Sequence, residues 1–116
     1  MTTDDLRDIA LALPGAAEAI KWESHLCFFV FKKMFLITSP DMIPSSAAFR
    51  VSTEIFDELT SHTGFKRHFA LGRYGWIHLD DINRLNESQW KEYIYESYKL
   101  VARNLSKKKR SELGLL

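Results

Sequence analysis

The spacing of apolar positions divides this chain into segments with the period of a helix and segments with the period of a strand. Near the N-terminus the apolar positions recur at helical spacing, which predicts an amphipathic helix. Thr3 can cap this helix, acidic residues occupy its first turn, and Pro14-Gly15 ends it. Its predicted inward face consists of Leu6, Ile9, Ala10 and Leu13.

The middle of the chain predicts β-strands. Residues 22–31 are rich in aromatic and aliphatic side chains, as is typical of a strand buried on much of both faces. Lys32-Lys33 interrupts this run and residues 34–38 resume it, which together predict a hairpin with a charged turn. A loop with two prolines follows at 39–46, and residues 47–51 predict a third strand.

The second half of the chain predicts two further helices around a second hairpin. Ser52 can cap a helix that runs through Thr60. The apolar runs 68–71 and 76–79 flank a link that begins and ends with glycine, which predicts the hairpin. Asn86 can cap a long final helix, whose apolar stripe consists of Trp90, Tyr93, Ile94, Tyr98, Val101 and Leu105.

The resulting order of elements, α-β-β-β-α-β-β-α, predicts an α+β fold with two layers. We expect a single antiparallel sheet of about five strands with the helices packed on one face. Trp22 and Trp76 are expected to be largely buried in it. Since no repeat or linker divides the sequence, we interpret residues 1–116 as one domain.

Composition narrows the class of protein. Apolar residues make up 46% and aromatic residues 13% of the 116 positions, which is enough for a packed core. No apolar run approaches the ~20 residues that cross a bilayer, and the acidic N-terminus does not resemble a signal peptide. Cys27 is the only cysteine, which excludes an intrachain disulfide and favours a buried, inert thiol. We therefore expect a cytoplasmic protein with no membrane partner.

Charge is segregated along the chain although the net charge is only +1. Residues 1–20 are acidic on balance, whereas residues 61–76 carry three cations and no acid. Residues 104–116 carry four consecutive cations against the single acid Glu112. A nearly neutral total can therefore conceal one basic face.

Four segments carry a resemblance to a known family. They read Ala-Leu-Pro-Gly-Ala at 12–16, Lys-Met-Phe-Leu at 33–36, Tyr-Gly-Trp-Ile-His-Leu at 74–79, and Ser-Tyr-Lys-Leu-Val at 97–101 running into the basic tail. In this order they resemble the MmcQ/YjbR family across nearly the whole chain. The resemblance implies a bacterial protein with a two-layer α/β domain and an antiparallel sheet. Members of this family are often described as DNA-binding, with hairpin wings that grip the duplex.

The chain departs from the family pattern at two places. Lys21 and Glu23 flank Trp22 where Pro and Gly are common, which affects only the entry to the first predicted strand. Ser106 stands where the family usually has proline. A serine there can cap a short terminal helix over residues 107–113.

The basic segments are the candidate nucleic-acid contacts. We expect nonspecific binding of duplex DNA, in which exposed cations meet phosphates and an aromatic side chain stacks or donates a hydrogen bond. Simple solvated turns and a solubilising tail are the alternatives for the same segments. The candidates lie in the second hairpin (Lys66, Arg67, Arg73 and Tyr74), the tail (Lys107, Lys108, Lys109 and Arg110) and the first hairpin tip (Lys32 and Lys33).

Two other classes of function stay open. A protein-binding adaptor or chaperone-like module would use an exposed apolar sheet face or the loop at 40–46, and the oligomeric state is left undetermined. An enzyme is the least favoured class, because the common hydrolase and nucleotide-binding motifs are absent from the sequence. The four histidines show no metal-ligand spacing, so neither a metal nor another cofactor is predicted; they are His25, His62, His68 and His78.

Overall fold

The computed structural model describes residues 1–22 and 24–115. Glu23, which falls within the first predicted strand, lies outside the described residues, as does Leu116. In the described ranges the chain forms α1 (Thr3–Leu11), β1 (Ala16–Lys21), β2 (His25–Val30), β3 (Lys33–Ser39), β4 (Ser46–Arg50), α2 (Thr53–Thr60), β5 (Phe65–Arg67), β6 (Trp76–Leu79), α3 (Glu87–Ala102) and α4 (Lys107–Glu112).

The strands form one antiparallel sheet in the order β1-β2-β3-β4-β6-β5. The long helix α3 packs across β3 and β4, and α1 packs against α3. The predicted α+β class, with an antiparallel sheet and helices on one face, is confirmed. The main core lies between the helices and the sheet, and its largest fully buried side chains include Trp90, Tyr98, Phe28, Phe35 and Phe49.

A second, smaller apolar cluster lies on the other face of the sheet. It consists of Cys27, Ile37, Ala48 and Trp76, with Met34 and Leu71 packed against it. No described helix contributes to this cluster. We call this side of the sheet the open face.

Buried polar side chains tie α3 to the rest of the fold. The Ser97 hydroxyl donates to the Phe35 carbonyl at 2.6 Å and accepts from the Arg50 amide at 2.9 Å. The ladder between β3 and β4 has its last pair at Leu36 and Phe49, so Ser97 supplies partners for the next backbone groups. Tyr98 also donates its hydroxyl to the Pro14 carbonyl at 2.6 Å.

Two strands differ from the sequence-based prediction. β1 was not predicted, because its Ala-rich sequence has weak strand propensity and its identity comes from pairing with β2. The strand predicted at 68–71 was wrong: the partner of β6 is β5, Phe65–Arg67. Residues 68–71 lead into a short 3-10 helix, Gly72–Tyr74, which occupies most of the predicted hairpin link.

The ends of several elements also differ by one residue. Thr2, not Thr3, caps α1, and its side chain accepts from the Asp5 amide. The first hairpin turns at Phe31 and Lys32, which both have positive φ, whereas Lys33 already pairs with Val30. Positive φ at both central residues matches the twist of a two-residue hairpin.

The two tryptophan predictions had opposite outcomes. Trp76 is 4% exposed, as expected. Trp22 is 64% exposed, so its predicted burial was wrong. The reason is that Trp22 follows β1 in a turn with φ 49° and borders the open face, where no described helix covers it.

Candidate nucleic-acid interface and open-face cavity

Strand register gathers cations from distant parts of the sequence at one end of the sheet. Lys32 lies in the turn between β2 and β3, and Lys33 begins β3. β4 runs antiparallel to β3 and ends at Arg50, which pairs with Trp76 at the start of β6. The β2–β3 turn, the end of β4 and the start of β6 therefore share one end of the sheet.

The C-terminal helices bring more cations to this end. Arg50 and Arg103 lie close together. Burial lowers the pKa of the Arg50 guanidinium, and the charge of Arg103 lowers it further. Lys109 lies over the Phe31 ring, with Nζ 5.3 Å from its centroid. Leu113, which follows α4, packs against Gly15, because a Cβ on Gly15 would lie 2.8 Å from Leu113 Cδ2. Gly15 precedes Ala16, which pairs with Val30 next to the turn that contains Lys32, so α4 lies beside this turn.

Arg73 and Tyr74 belong to the same end. The Val51 amide donates to the Gly75 carbonyl at 2.9 Å, which holds the 3-10 helix against the end of β4. Arg73 donates to the Tyr74 hydroxyl at 2.8 Å, and its guanidinium lies 4.9 Å from the Tyr74 ring centroid. The pair therefore presents a planar cation stacked on an exposed ring.

We call this cluster the basic end. Two acids lie near it: Glu112 in α4, and Glu54, whose pKa is lowered chiefly by hydrogen bonds from its own backbone amide and from Ser52 and further by the charge of Arg103. Acids lie at the opposite end of the sheet, where Asp80 and Asp81 follow β6 and Asp41 lies in the loop between β3 and β4, although Arg84 pairs with Asp80. The members of the basic end are Lys32, Lys33, Arg50, Arg73, Tyr74, Arg103, Lys107, Lys108, Lys109 and Arg110.

Lys66 and Arg67 lie in the second hairpin, but on the edge strand β5 and away from the link that contains Arg73. Lys66 lies on the edge strand β5 and pairs with His78 in the middle of β6. The Arg67 guanidinium lies 5.9 Å from the Phe56 ring centroid, and its side chain packs against Gly72. Sequence analysis missed Arg50 and Arg103 instead, because each is an isolated cation and only the register places them together.

The open face contains a cavity of about 700 Å³. Its floor is apolar and includes Met34, Ile37, Ala48 and Leu71. Trp22 borders it from the β1–β2 side, whereas Lys66, Arg67 and Phe69 border it from the β5 side. The Phe69 side chain is 96% exposed. We call this recess the open-face cavity.

Three of the four histidines line this cavity. His25 Nδ1 lies 2.7 Å from Ser39 Oγ, and His68 Nδ1 accepts from the Ala70 and Leu71 amides. Burial lowers the pKa of His68 and of His78, which favours their neutral forms. Within the described residues, no group of three His, Cys, Asp or Glu side chains is arranged to hold a metal ion.

The cysteine and the helices give two further observations. Cys27 is fully buried, as predicted, and burial raises the pKa of its thiol to about 11. This thiol is therefore not an activated nucleophile. Across residues 1–22 and 24–115, every helix is too short or too polar to cross a bilayer.

The fold and the basic end define a small α+β domain whose cations are concentrated at one end of an antiparallel sheet. The chain belongs to the YjbR family, whose model matches residues 11–100. The resemblance found in the sequence is thereby confirmed. No curated protein matches the chain significantly.

Two solved structures are similar to this chain. One is the Deinococcus radiodurans protein DR2400, described with domain DUF419; it is 26% identical, with a TM-score of 0.86 over 99% of this chain and 89% of its own. The other is a Pseudomonas syringae protein that was a target of the Northeast Structural Genomics Consortium. It is 18% identical, with a TM-score of 0.71 over 87% of this chain and 99% of its own, and shows the fold alone.

Proposed function

We propose that this chain is a binding protein, not an enzyme, and that it holds duplex DNA nonspecifically through phosphate contacts of the basic end. The observation that carries the proposal is the gathering of cations from five separate segments at one end of the sheet. Phosphate contacts supply most of the affinity in nonspecific binding and need no base-reading side chains. A local concentration of cations is sufficient for this function even when the net charge is +1.

The spacing of the basic end supports contact with a duplex. Neighbouring strands lie about 4.8 Å apart, so the β2–β3 turn and Arg73 are separated by roughly 12–14 Å across β3, β4 and β6. The major groove of B-DNA is about 12 Å wide. Lys32 and Arg73 can therefore contact the two backbones that border one groove.

The salt dependence of binding tests the proposal. If about four to six cations contact phosphates, the logarithm of the binding constant should fall with the logarithm of salt concentration with a slope of roughly −4 to −5. The measurement is the anisotropy of a labelled duplex, titrated at salt concentrations between about 50 and 200 mM. Removing one contacting cation should reduce the steepness of the slope by about one unit for every DNA sequence.

Three variants and one control make the test specific. Arg73→Ala, the double change Lys32→Gln with Lys33→Gln, and the neutral replacement of residues 107–110 should each weaken binding. Lys91→Gln is the control, because Lys91 lies toward the other end of α3 and pairs with Glu87 at 3.4 Å. Lys66→Gln and Arg67→Gln, assayed in the same way, test whether these residues also contact phosphate. Absence of binding at low salt, or equal weakening in Lys91→Gln, would contradict the proposal.

A protein-binding adaptor is the second candidate function. The observation that favours it is the loop between β3 and β4, in which Ile43 is 97% exposed beside the exposed Met42. An apolar interface of this kind would not weaken steeply with salt, in contrast to phosphate binding. A partner that binds equally at low and high salt, and binds less to Ile43→Ser, would support this second candidate.

A further inference from the structure

The open-face cavity has the shape of a small-molecule site and lies outside the basic end. We propose that it binds a small amphipathic carboxylate. The aromatic or aliphatic body would lie on the apolar floor, and the carboxylate would meet Lys66 of β5. This proposal is independent of DNA binding, because the floor and the β5 wall use residues outside the basic end.

The floor of the cavity provides the apolar part of the site. Ile37 and Ala48 are almost fully buried, and Met34 and Leu71 pack against the same cluster. The cavity volume of about 700 Å³ lies within the usual range of ligand sites, about 300–1,000 Å³. Such sites are lined mainly by apolar side chains and hold a few polar groups that orient the ligand.

The wall of the cavity specifies the charge of the occupant. Lys66 and Arg67 line it, and none of the described residues that line it is acidic. The acid whose charge acts on Lys66 and His78 is Asp80, and Arg84 pairs with Asp80 at 2.6 Å. The Arg67 guanidinium lies over the Phe56 ring on the other face of the sheet, so the cation that faces the cavity is Lys66, which pairs with His78. An anion therefore meets an attractive charge there, whereas an ammonium group of the same size would meet repulsion.

The outline of the cavity favours a small molecule over a flat protein surface. Trp22 projects from the β1–β2 side and Phe69 from the β5 side, so both edges of the sheet contribute walls. The strands β3, β4 and β6 lie between these two sides in the sheet and line the cavity, where the small side chain of Ala48 occupies little space. A recess closed on two sides surrounds a ring or a short chain more completely than it contacts a broad, flat partner.

Three probes with the same ring system and different head groups test the proposal. They are 2-naphthoate, 2-naphthalenemethanol and 2-naphthylmethylamine, each titrated by calorimetry and by backbone amide NMR shifts. We expect 2-naphthoate to bind most tightly, 2-naphthylmethylamine most weakly, and the shifts to centre on Ile37, Ala48 and Leu71. Equal binding of the three probes, or no binding of 2-naphthoate, would overturn the proposal.

Two variants locate the binding energy. In Lys66→Gln, affinity for 2-naphthoate should fall by about fivefold, as expected for loss of one partly exposed ion pair, while 2-naphthalenemethanol should be unaffected. Lys91→Gln is the matched control, and both probes should bind it as they bind the unaltered chain. Equal losses of 2-naphthoate affinity in Lys66→Gln and Lys91→Gln would overturn the assignment of the carboxylate to β5.

A cavity-filling variant tests the floor separately. Ala48→Leu places extra methyl groups in the recess and should abolish binding of all three probes. If Ala48→Leu does not fold, the comparison of Lys66→Gln with Lys91→Gln decides the matter alone. Dimerisation through the open face, detected by sedimentation and by interface shifts at the floor residues, would also overturn the proposal. If 2-naphthoate does not bind but the duplex titration behaves as expected, the DNA-binding proposal stands.

Discussion

Ser97 occupies the point where α3 meets the end of the β3–β4 ladder, and its replacement by alanine has a predictable cost. Ser97→Ala removes the partner of the Phe35 carbonyl and of the Arg50 amide. Ser97 is fully buried, which leaves these two backbone groups without a hydrogen bond in a site that water does not reach easily. Each unsatisfied buried group costs about 1–3 kcal/mol.

The net effect follows from a small correction for helix propensity. Alanine favours a helix over serine by about 0.5 kcal/mol, which offsets part of the loss. We therefore expect Ser97→Ala to lower the free energy of unfolding by about 1.5–5.5 kcal/mol. With a urea m-value of about 2 kcal/mol/M, the unfolding midpoint should fall by roughly 1–3 M.

The control is Ser88→Ala on the same helix, where the serine is exposed in the first turn. Both variants change the same atoms and gain similar helix propensity, so their difference isolates the buried hydroxyl. Urea unfolding followed by circular dichroism measures both midpoints. A loss in Ser97→Ala no greater than in Ser88→Ala would refute the view that this hydroxyl completes the ladder.

Two further predictions concern ionisable groups of the open face. Burial lowers the pKa of His68 and His78 below the ordinary value of about 6.5. Below about pH 6.5 the unfolded chain therefore binds more protons than the folded chain, and the stability that is present above this pH is lost as the pH falls toward the lower pKa of the folded state. Urea midpoints at pH of about 7.5 and 5.5 should show this loss, and His68→Gln should reduce it; equal midpoints at both pH values would contradict the assignment. Since the Cys27 thiol has a pKa of about 11, a disulfide reagent at pH of about 8 should modify the folded chain far more slowly than the urea-unfolded chain, and equal rates would show that the thiol is accessible.

The sequence predicted best those elements whose signal is local. The apolar stripe of α3 follows helical spacing, and its residues Trp90, Ile94 and Tyr98 are fully buried as expected. The capping residues Ser106 and Asn86 were also predicted, and both accept a hydrogen bond from the third residue of the helix that follows. These features depend on neighbours a few residues away, so no knowledge of the fold is needed to find them.

Features that depend on pairing between distant segments were missed. β1 is an Ala-rich edge strand, and only the register that pairs Ala16 with Val30 gives it an extended structure. The partner strand of β6 was predicted at residues 68–71 instead of at β5, because residues 68–71 are largely apolar. In the fold these residues line the open-face cavity and do not pair in the sheet.

The candidate sites divide in the same way. The tail cations and Lys32-Lys33 could be found as consecutive charges, whereas Arg50 and Arg103 became neighbours only through the fold. Trp22 was predicted to be buried because large aromatic side chains usually are, whereas both Trp22 and Phe69 are exposed. Their exposure follows from the absence of a described helix over the open face, a property of the layer arrangement that no local pattern encodes.

The position of β5 at the edge of the sheet has a consequence for the open-face cavity. β5 is three residues long and pairs with a single strand, β6, on one side. Short edge segments open locally at a lower free energy than that of global unfolding. Release of β5 would carry Lys66 away from the cavity while α3 and the main core stay packed. Fraying of this one strand would therefore remove the cationic wall of the open-face cavity without unfolding the domain.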